Sequence, residues 1–397
     1  MKGLRPVDAA ILDLLDRVKV AQEQELKPLN AALGFYAAED ILSPVNVPPA
    51  DNSAMDGYAV QLASIRANDW LKISDRVTAG SVGLNMEPGT AARIFTGAPI
   101  PEGADTVVMQ ENCEFEQGRV RILAMPEMGA NVRECGQDLL IGTTVVRRGE
   151  RLTPQLLALL ASVGCVEVAV YKPLRIAILS TGDELMEPGG ELAPGQIFNS
   201  NRFALDGLIR GLGMESVDLG IIGDNPKATE QALRQAVKRA DLILSTGGVS
   251  VGEEDHVKST VERLGEIDLW KLAIKPGKPM AFGHVLGKPF FGLPGNPVST
   301  FVTFLIVAKP YLLAMQGAAE FRSESIMIPS GFSFSGGGRR EYLRVRIVET
   351  EAGGPCLEKF ANQGSGVMTS VAWADGLAEI DIGQEVSAGD RLRFYKI

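Results

Sequence analysis

Apolar positions over residues 9–18 fall at helical spacing. Ala9, Ala10, Ile11, Leu12, Leu14, Leu15 and Val18 are interleaved with Asp13, Asp16 and Arg17, which predicts a packing helix with one polar face. Pro44, Pro48 and Pro49 then crowd residues 41–51. Each removes a backbone donor and restricts its neighbour, so this stretch reads as an extended boundary. Over 52–145 the period shortens. β-prone runs such as 106–109 and 119–122 alternate with glycine turns at Gly80, Gly89, Gly97, Gly103 and Gly118, the pattern of a β-rich domain. Helical spacing returns at 153–163, with Thr153 placed as N-cap and Pro154 at the first helical position.

From Arg175 strands and helices alternate. The apolar run 175–180 has the continuous character of a strand buried on both faces. A helix at 201–213, a strand at 217–222, a helix at 226–239 and a strand at 241–245 follow. This βαβ series predicts a mostly parallel sheet covered by helices. A strand at 270–274 and a helix at 298–315 are expected to complete the unit. From 323 onward short β runs and glycine turns predict a small C-terminal β barrel or sandwich.

The chain has 397 residues, 45% hydrophobic and 22% charged, the balance of a folded protein of two or three domains. Aromatics are sparse at 6%, so the core is aliphatic. The net charge of −10 argues against a protein built to coat nucleic acid or anionic membrane. No apolar run approaches the ~20 residues that span a bilayer, and residues 1–8 begin no apolar leader, so a cytoplasmic location is expected. The four cysteines form no C-x-x-C pair, which disfavours a structural zinc site. There are only two histidines, His256 and His284, so a three-histidine metal site is excluded within one chain.

In open α/β sheets ligands bind at the carboxyl ends of the strands. Two such ends carry nearly the same sequence, Ser180-Thr181-Gly182-Asp183-Glu184 and Ser245-Thr246-Gly247-Gly248-Val249-Ser250. Thr-Gly alone is a common strand exit. Two copies in one sheet point to an anion site built from hydroxyls and glycine amides. Asp183 and Glu184 would repel that anion unless a cation lies between, and hard carboxylate oxygens suit Mg²⁺. Asp224 and Asp255 lie at further strand ends. For these two, a helix cap and a ligand both remain open. Lys275-Pro276-Gly277-Lys278-Pro279 holds two ammonium groups on a stiff turn, suited to a compact oxyanion. The segment 292–299 (GLPGNPVS) forms another rigid turn, with Ser299 at a helix start. No Walker A sequence is present. Gly248–Gly252 matches G-x-S-x-G with Asp255 and His284 downstream, but its turn begins before the serine, which disfavours a nucleophile elbow. The loop DNSAMDGYA at 51–59 is polar and proline-preceded, the kind of loop that carries function. Asp51 and Asp56 are too far apart in it for a local carboxylate pair unless the loop folds back.

These stretches together resemble the molybdopterin molybdenumtransferase family, the MoeA type also found as the E domain of gephyrin. The resemblance rests on DNSAMDGYA (51–59), FTGAPIPEGAD (95–105), STGDEL (180–185), GQIFNSN (195–201), STGGVSVGEED (245–255), KPGKP (275–279) and GLPGNPVS (292–299), all in the family's order. It implies a multidomain α/β and β fold. An elongated segment would comprise 1–45 and 140–170, a β-rich insert domain 46–139, a central MogA-like α/β domain 171–322, and a C-terminal β barrel 323–397. It implies insertion of molybdate into adenylylated molybdopterin, with release of molybdenum cofactor and AMP and with Mg²⁺ as cofactor. It also implies a homodimer whose active cleft lies between subunits, and transient contact with other proteins of the same biosynthesis.

Carried over by position, Asp56, Thr96, Asp138, Glu184, Asp224 and Asp255 are the expected catalytic residues, with Glu184, Asp224 and Asp255 as metal ligands. Ser180, Thr181, Gly182, Ser245, Gly247, Gly248, Ser250, Pro294 and Pro297 are the expected pterin and nucleotide contacts. Lys275, Lys278, Ser299, Arg344 and Ser365 are the expected molybdate contacts. The last two rest on the shorter matches EYLR (341–344) and NQGS (362–365). His256 departs from the Tyr of many members. Two other readings compete: a catalytically lapsed scaffold of the same fold, and a different nucleotide enzyme sharing only the α/β domain, such as a pyridine-nucleotide amidase. The intact acidic set disfavours the first and the full-length match disfavours the second.

Overall fold

The run RIAILST has β-branched and aliphatic side chains at nearly every position, and the strand it forms, Arg175–Thr181, is buried on both faces over almost its whole length. A computed structural model describes residues 4–20, 23–248, 256–350 and 353–397. In it this strand lies inside a six-stranded sheet. The order is Glu215–Ile222, Arg175–Thr181, Leu242–Thr246, Lys288–Leu293, Pro279–Val285 and Gly265–Lys271. The first four strands are mutually parallel, Pro279–Val285 runs against them, and Gly265–Lys271, antiparallel to Pro279–Val285, returns to their direction. Helix Pro226–Arg239 starts where its proline and cap predict, but the cap is Asn225, whose side chain accepts from the Ala228 amide at 2.8 Å. Asp224 is therefore not the cap.

Two stretches differ from the sequence reading. Residues 270–274 are not one strand. Leu272 N donates to Lys278 O and Ala273 N to Arg5 O, so these amides leave the central sheet after Lys271. Ile274–Lys275 then pairs in parallel with Arg340–Glu341 of the C-terminal sheet. The helix over 298–315 is interrupted. It runs as Pro297–Thr303, a π segment Phe304–Ala308, and Lys309–Gln316. Pro310 has no N–H to give the Ile306 carbonyl, and the ladder widens just before it. By length and composition this 20-residue helix could cross a membrane, but its apolar window is 89% buried among the other elements, so it is the core helix of the α/β unit. Phe304, Val307 and Leu312 on it pack with Phe282, Phe291 and Leu244 of the sheet.

The β-rich region forms a second six-stranded sheet, with Gly57–Val60 between Thr106–Met109 and Thr90–Ile94. The strand Gly57–Val60 is buried throughout, which anchors the end of the loop that leads into it. Strand Gln24–Pro28 pairs with Glu167–Tyr171, and Ile41–Leu42 with Thr144–Val146. Helix Pro154–Ser162 begins with Thr153 Oγ1 accepting from Leu156 N at 3.3 Å. The N-terminal helix Val7–Asp16 buries Val7, Ala10 and Leu14 in the core of the central sheet.

At the C-terminus a third sheet is built on the long strand Arg340–Glu349, between Gly376–Ile380 and Pro355–Lys359. It curls until Ser330 bridges Leu357, so its two ends meet around a core of Leu343, Val345, Leu357, Ile380 and Phe394.

The cap geometry separates two neighbours. Asn225→Ala removes a helix N-cap and is expected to cost ~1 kcal/mol in urea unfolding. Asp224→Ala is exposed and caps nothing, so its cost is expected to stay within about 0.5 kcal/mol.

Candidate functional site

Strand exits, two rigid turns and one loop from the C-terminal sheet enclose a cavity of about 680 Å³, within the usual size of a small-molecule site. Thr181 and Glu184 enter it from the first strand exit, and Thr246, Gly247 and Gly248 from the second. The two exits are adjacent because their strands pair in parallel. Gly247 has φ +83° and a Cβ there would lie 2.8 Å from Thr181 O, so only glycine lets the exits approach this closely.

The turn 275–279 supplies Lys275 and Lys278. Gly277 at its middle has φ +112°, and a Cβ would overlap the buried Thr303 Oγ1. The turn is thus seated directly on the core helix. Lys275 Nζ lies 3.0 Å from Glu341 Oε2, a carboxylate only 5% exposed. One of the two ammonium groups is therefore already paired. The turn 294–297 supplies Pro294 and Pro297 and leads to Ser299 at the helix start. Asn201 Nδ2 donates to Gly295 O at 2.7 Å and fixes this turn.

The opposite side comes from Gln363, Gly364 and Ser365. Val298 N donates to Ser365 O at 3.0 Å, which ties this loop to the core helix. Arg344 does not line the cavity. It is 1% exposed and its guanidinium donates to Ser370 Oγ, Tyr342 O and Gly364 O at 3.1–3.3 Å. Burial without a carboxylate partner pushes it down to about 10, still cationic at neutral pH. Its place is under the loop, where it holds Gly364 next to Ser365.

Of the other sequence-marked residues, Ser180 and Ser245 are buried behind the wall, and the Ser245 hydroxyl donates to Gly247 O. Gly182 lies just beyond Thr181, and the carboxylate of Glu184 folds back over it. Asp224 is exposed at the neighbouring exit, where its amide donates to Asp183 Oδ1 at 3.0 Å. Ser250 and Asp255 lie outside the described residues. His284 sits on the antiparallel pair 3.1 Å from Glu266 and does not line the cavity. His256 begins the helix His256–Leu264.

Asp56, Thr96 and Asp138 stand apart from this cavity, on the β-rich side. Asp56 Oδ1 accepts from both Thr96 N and Thr96 Oγ1 at 2.8 Å. Those two hydrogen bonds, the backbone one first, hold the carboxyl below the usual carboxylate range. Asp51 serves elsewhere, accepting from Cys135 N at 2.7 Å, so the loop makes no carboxylate pair. Asp138 lines a shallow depression with Pro48, Arg133 and Gln137.

A divalent cation needs converging oxygen donors. Among the described residues no group of three or more His, Cys, Asp or Glu converges as a metal cluster. Glu184 is the one carboxylate on the cavity wall among them. Such a set fits Mg²⁺ held partly by ligand phosphates and water, and does not fit an all-protein cage. Two wall residues carried no sequence signal of their own. Arg339 follows Gly336-Gly337-Gly338 outside the motifs, and Asn199 hid inside GQIFNSN. Asn199 is 1% exposed and its Nδ2 has no acceptor among the described residues, a donor left for a ligand.

Residues 5–164 match the family described as MoeA N-terminal region (domain I and II), 177–314 a probable molybdopterin binding domain, and 333–397 the MoeA C-terminal region (domain IV). The chain is 43% identical to a molybdopterin molybdenumtransferase of Haemophilus influenzae over 318 residues, covering 80% of this chain and 79% of that one. It is 34% identical to the protein of that name from Nostoc, covering 98% and 92%. The structure of the molybdopterin biosynthesis MoeA protein from Pyrococcus horikoshii superposes with a TM-score of 0.87 at 28% identity, covering 99% of this chain and 100% of that one.

Removing the Thr96 hydroxyl takes away one of the two donors on Asp56. Thr96→Ala is expected to raise the Asp56 carboxyl toward its ordinary range, read by carboxyl-carbon NMR titration. An unmoved titration would show that the backbone bond alone sets it.

Proposed function

This chain belongs to the molybdopterin molybdenumtransferase (MoeA) family, and from that premise we propose that its cavity joins adenylylated molybdopterin to molybdate. The chain acts in molybdenum cofactor biosynthesis by inserting molybdenum. The products proposed are molybdenum cofactor and AMP. The observation that carries this reading is the polarity of the cavity, which has hydroxyl and glycine amide exits with Glu184 at one end and the lysine turn at the other.

Each end suits one anionic reactant. Thr181, Gly247 and Gly248, backed by Gly182, Ser180 and Ser245, offer donors for the phosphates and pterin, with Pro294 and Pro297 shaping the wall. Ser250 belongs to the same segment. Glu184, with Asp224 and Asp255, would hold Mg²⁺, which when bound neutralises charge developing on the phosphoryl oxygens. Lys275, Lys278 and the hydroxyls of Ser299 and Ser365 receive the tetrahedral oxyanion. Arg344 supports that end by holding the Ser365 loop from beneath.

Asp56, Thr96 and Asp138 lie outside the cavity wall of their own chain. We propose that in a homodimer they face the partner's cavity, completing an inter-subunit cleft. A cytoplasmic location and transient contact with other proteins of the pathway accompany this reading, with no nucleic acid or membrane partner.

Incubation with adenylylated molybdopterin, Mg²⁺ and molybdate is expected to release AMP and to yield cofactor that activates an apo-molybdoenzyme. Absence of both sinks the proposal. Lys278→Ala and Lys275→Ala are each expected to raise the molybdate requirement about tenfold or more, with smaller effects on pterin binding. Lys275→Ala should also lower the melting temperature, because it strands the buried Glu341. At molybdate too dilute for Lys278→Ala chains to turn over, mixing them with inactive Asp56→Ala chains is expected to restore about a quarter of the activity, since half the dimers then carry one intact cleft. No recovery on exchange would place both residues in one subunit's site.

A further inference from the structure

A second cavity, of about 660 Å³, opens on the opposite edge of the central sheet. The substrate cavity takes the carboxyl ends of the parallel strands, and this one takes their amino ends. Arg175 and Lys288 begin two of those strands, and Asp241 immediately precedes a third. Tyr311 and Met315 line it from the final segment of the core helix. Ser299, at the start of that helix, is about 18 Å away along the axis, so the two cavities are separate. The size is that of a small-molecule site, and none of the family motifs falls on its wall.

Hydrogen-bonding capacity on this wall is one-sided. Among the described residues, three of its four carboxylates are already met. Asp241 Oδ2 accepts from Arg175 N at 3.0 Å and Nε at 3.3 Å, and Oδ1 from Arg175 Nη2 at 3.2 Å and Lys288 Nζ at 3.3 Å. Glu23 pairs with Lys172 and Glu25 with Lys27. The fourth, Glu215, is an exposed side chain. Two cations share the Asp241 carboxylate, which leaves one unit of positive charge. Lys19, also on the wall, makes no ion pair with the described residues and adds a second.

Tyr311 is the buried part of the wall. It is 1% exposed, with its ring edge-on to Phe282 and Phe291 at 5.4 and 5.1 Å. Its hydroxyl makes no hydrogen bond with the described residues and is not sealed in the core, so it is the end of the side chain that opens on the cavity. A buried hydroxyl without a partner is costly. Burial pushes the phenol up to about 12, so at neutral pH it stays a donor.

We infer that this cavity is a second ligand site, for a small organic oxyanion: a phosphate monoester or carboxylate carried on an apolar body. The oxyanion accepts from Lys19, Lys288 and the Tyr311 hydroxyl, bonds strengthened by its charge. The apolar body lies on Pro173, Pro289 and Met315. The inference is independent of the chemistry assigned to the substrate cavity.

The test is calorimetric titration of the full-length protein with AMP, Mg²⁺ and molybdate present in excess to occupy the substrate cavity. Phenyl phosphate and benzoate are the probes, with benzyl alcohol and benzylamine as uncharged and cationic controls. At least one oxyanion is expected to saturate at about 1 mM or below, and both controls to bind at least about tenfold more weakly. Tighter phenyl phosphate assigns the site to monoesters, and tighter benzoate to carboxylates. Tyr311→Phe should weaken the bound probe about threefold to tenfold. It should leave the melting temperature unchanged, because the hydroxyl has no bond to lose. Lys19→Gln, at an exposed position, should weaken the probe by a similar factor. Absence of saturable binding, equal binding of the controls, or an affinity unmoved in Tyr311→Phe or in Lys19→Gln overturns the inference. A melting temperature lowered in Tyr311→Phe overturns it too, since the hydroxyl then already has a partner.

Discussion

A carboxylate removed from water stays ionised only where a cation meets it. Glu341 is such a group, and the cation is Lys275. That pair sits where Ile274–Lys275 leaves the α/β unit and aligns beside Arg340–Glu341 of the C-terminal sheet. Backbone pairing and ion pair therefore act at one point. Arg340 N donates to Ala273 O, and Ala273 N to Arg5 O, so the N-terminal segment, the central sheet and the C-terminal sheet converge on the base of the lysine turn. The position of the cavity follows from this junction.

Rigidity around the junction comes from residues that have few alternatives. Gly277 is pressed against Thr303, and Gly247 against Thr181. Prolines at 276, 279, 294 and 297 remove backbone freedom from both turns. Beneath the far wall Arg344 binds three groups, with no carboxylate among the described residues to neutralise it, so the loop bearing Ser365 is held by a buried charge. A site arranged this way meets its ligands already in place, and little binding energy is lost to ordering it.

Much of this was legible along the chain. The run 175–180, the capped helix at 226–239 and the glycine-turned β regions follow from side-chain period and turn chemistry, which are local properties. The family motifs located the strand exits and the lysine turn. Other features were not legible. Residues 270–274 read as one strand because all are apolar or long, and nothing local told that Leu272 and Ala273 would spend their amides outside both sheets. Arg344 resembled a ligand by position, yet its donors point into the protein. Arg339, beside glycines in a stretch without a motif, carried no signal that would place it on the cavity wall.

The amino-acid sequence by itself determined the elements, their order, the mostly parallel sheet and the family, because these depend on residue period, turn residues and short motifs. The tertiary structure decided which charges count. It paired Lys275 with Glu341, turned Arg344 beneath the wall, brought Arg339 onto it, and left Asp56 and Asp138 away from it. A charge acts through its distance to other charges and to water, and those distances join residues far apart in the chain.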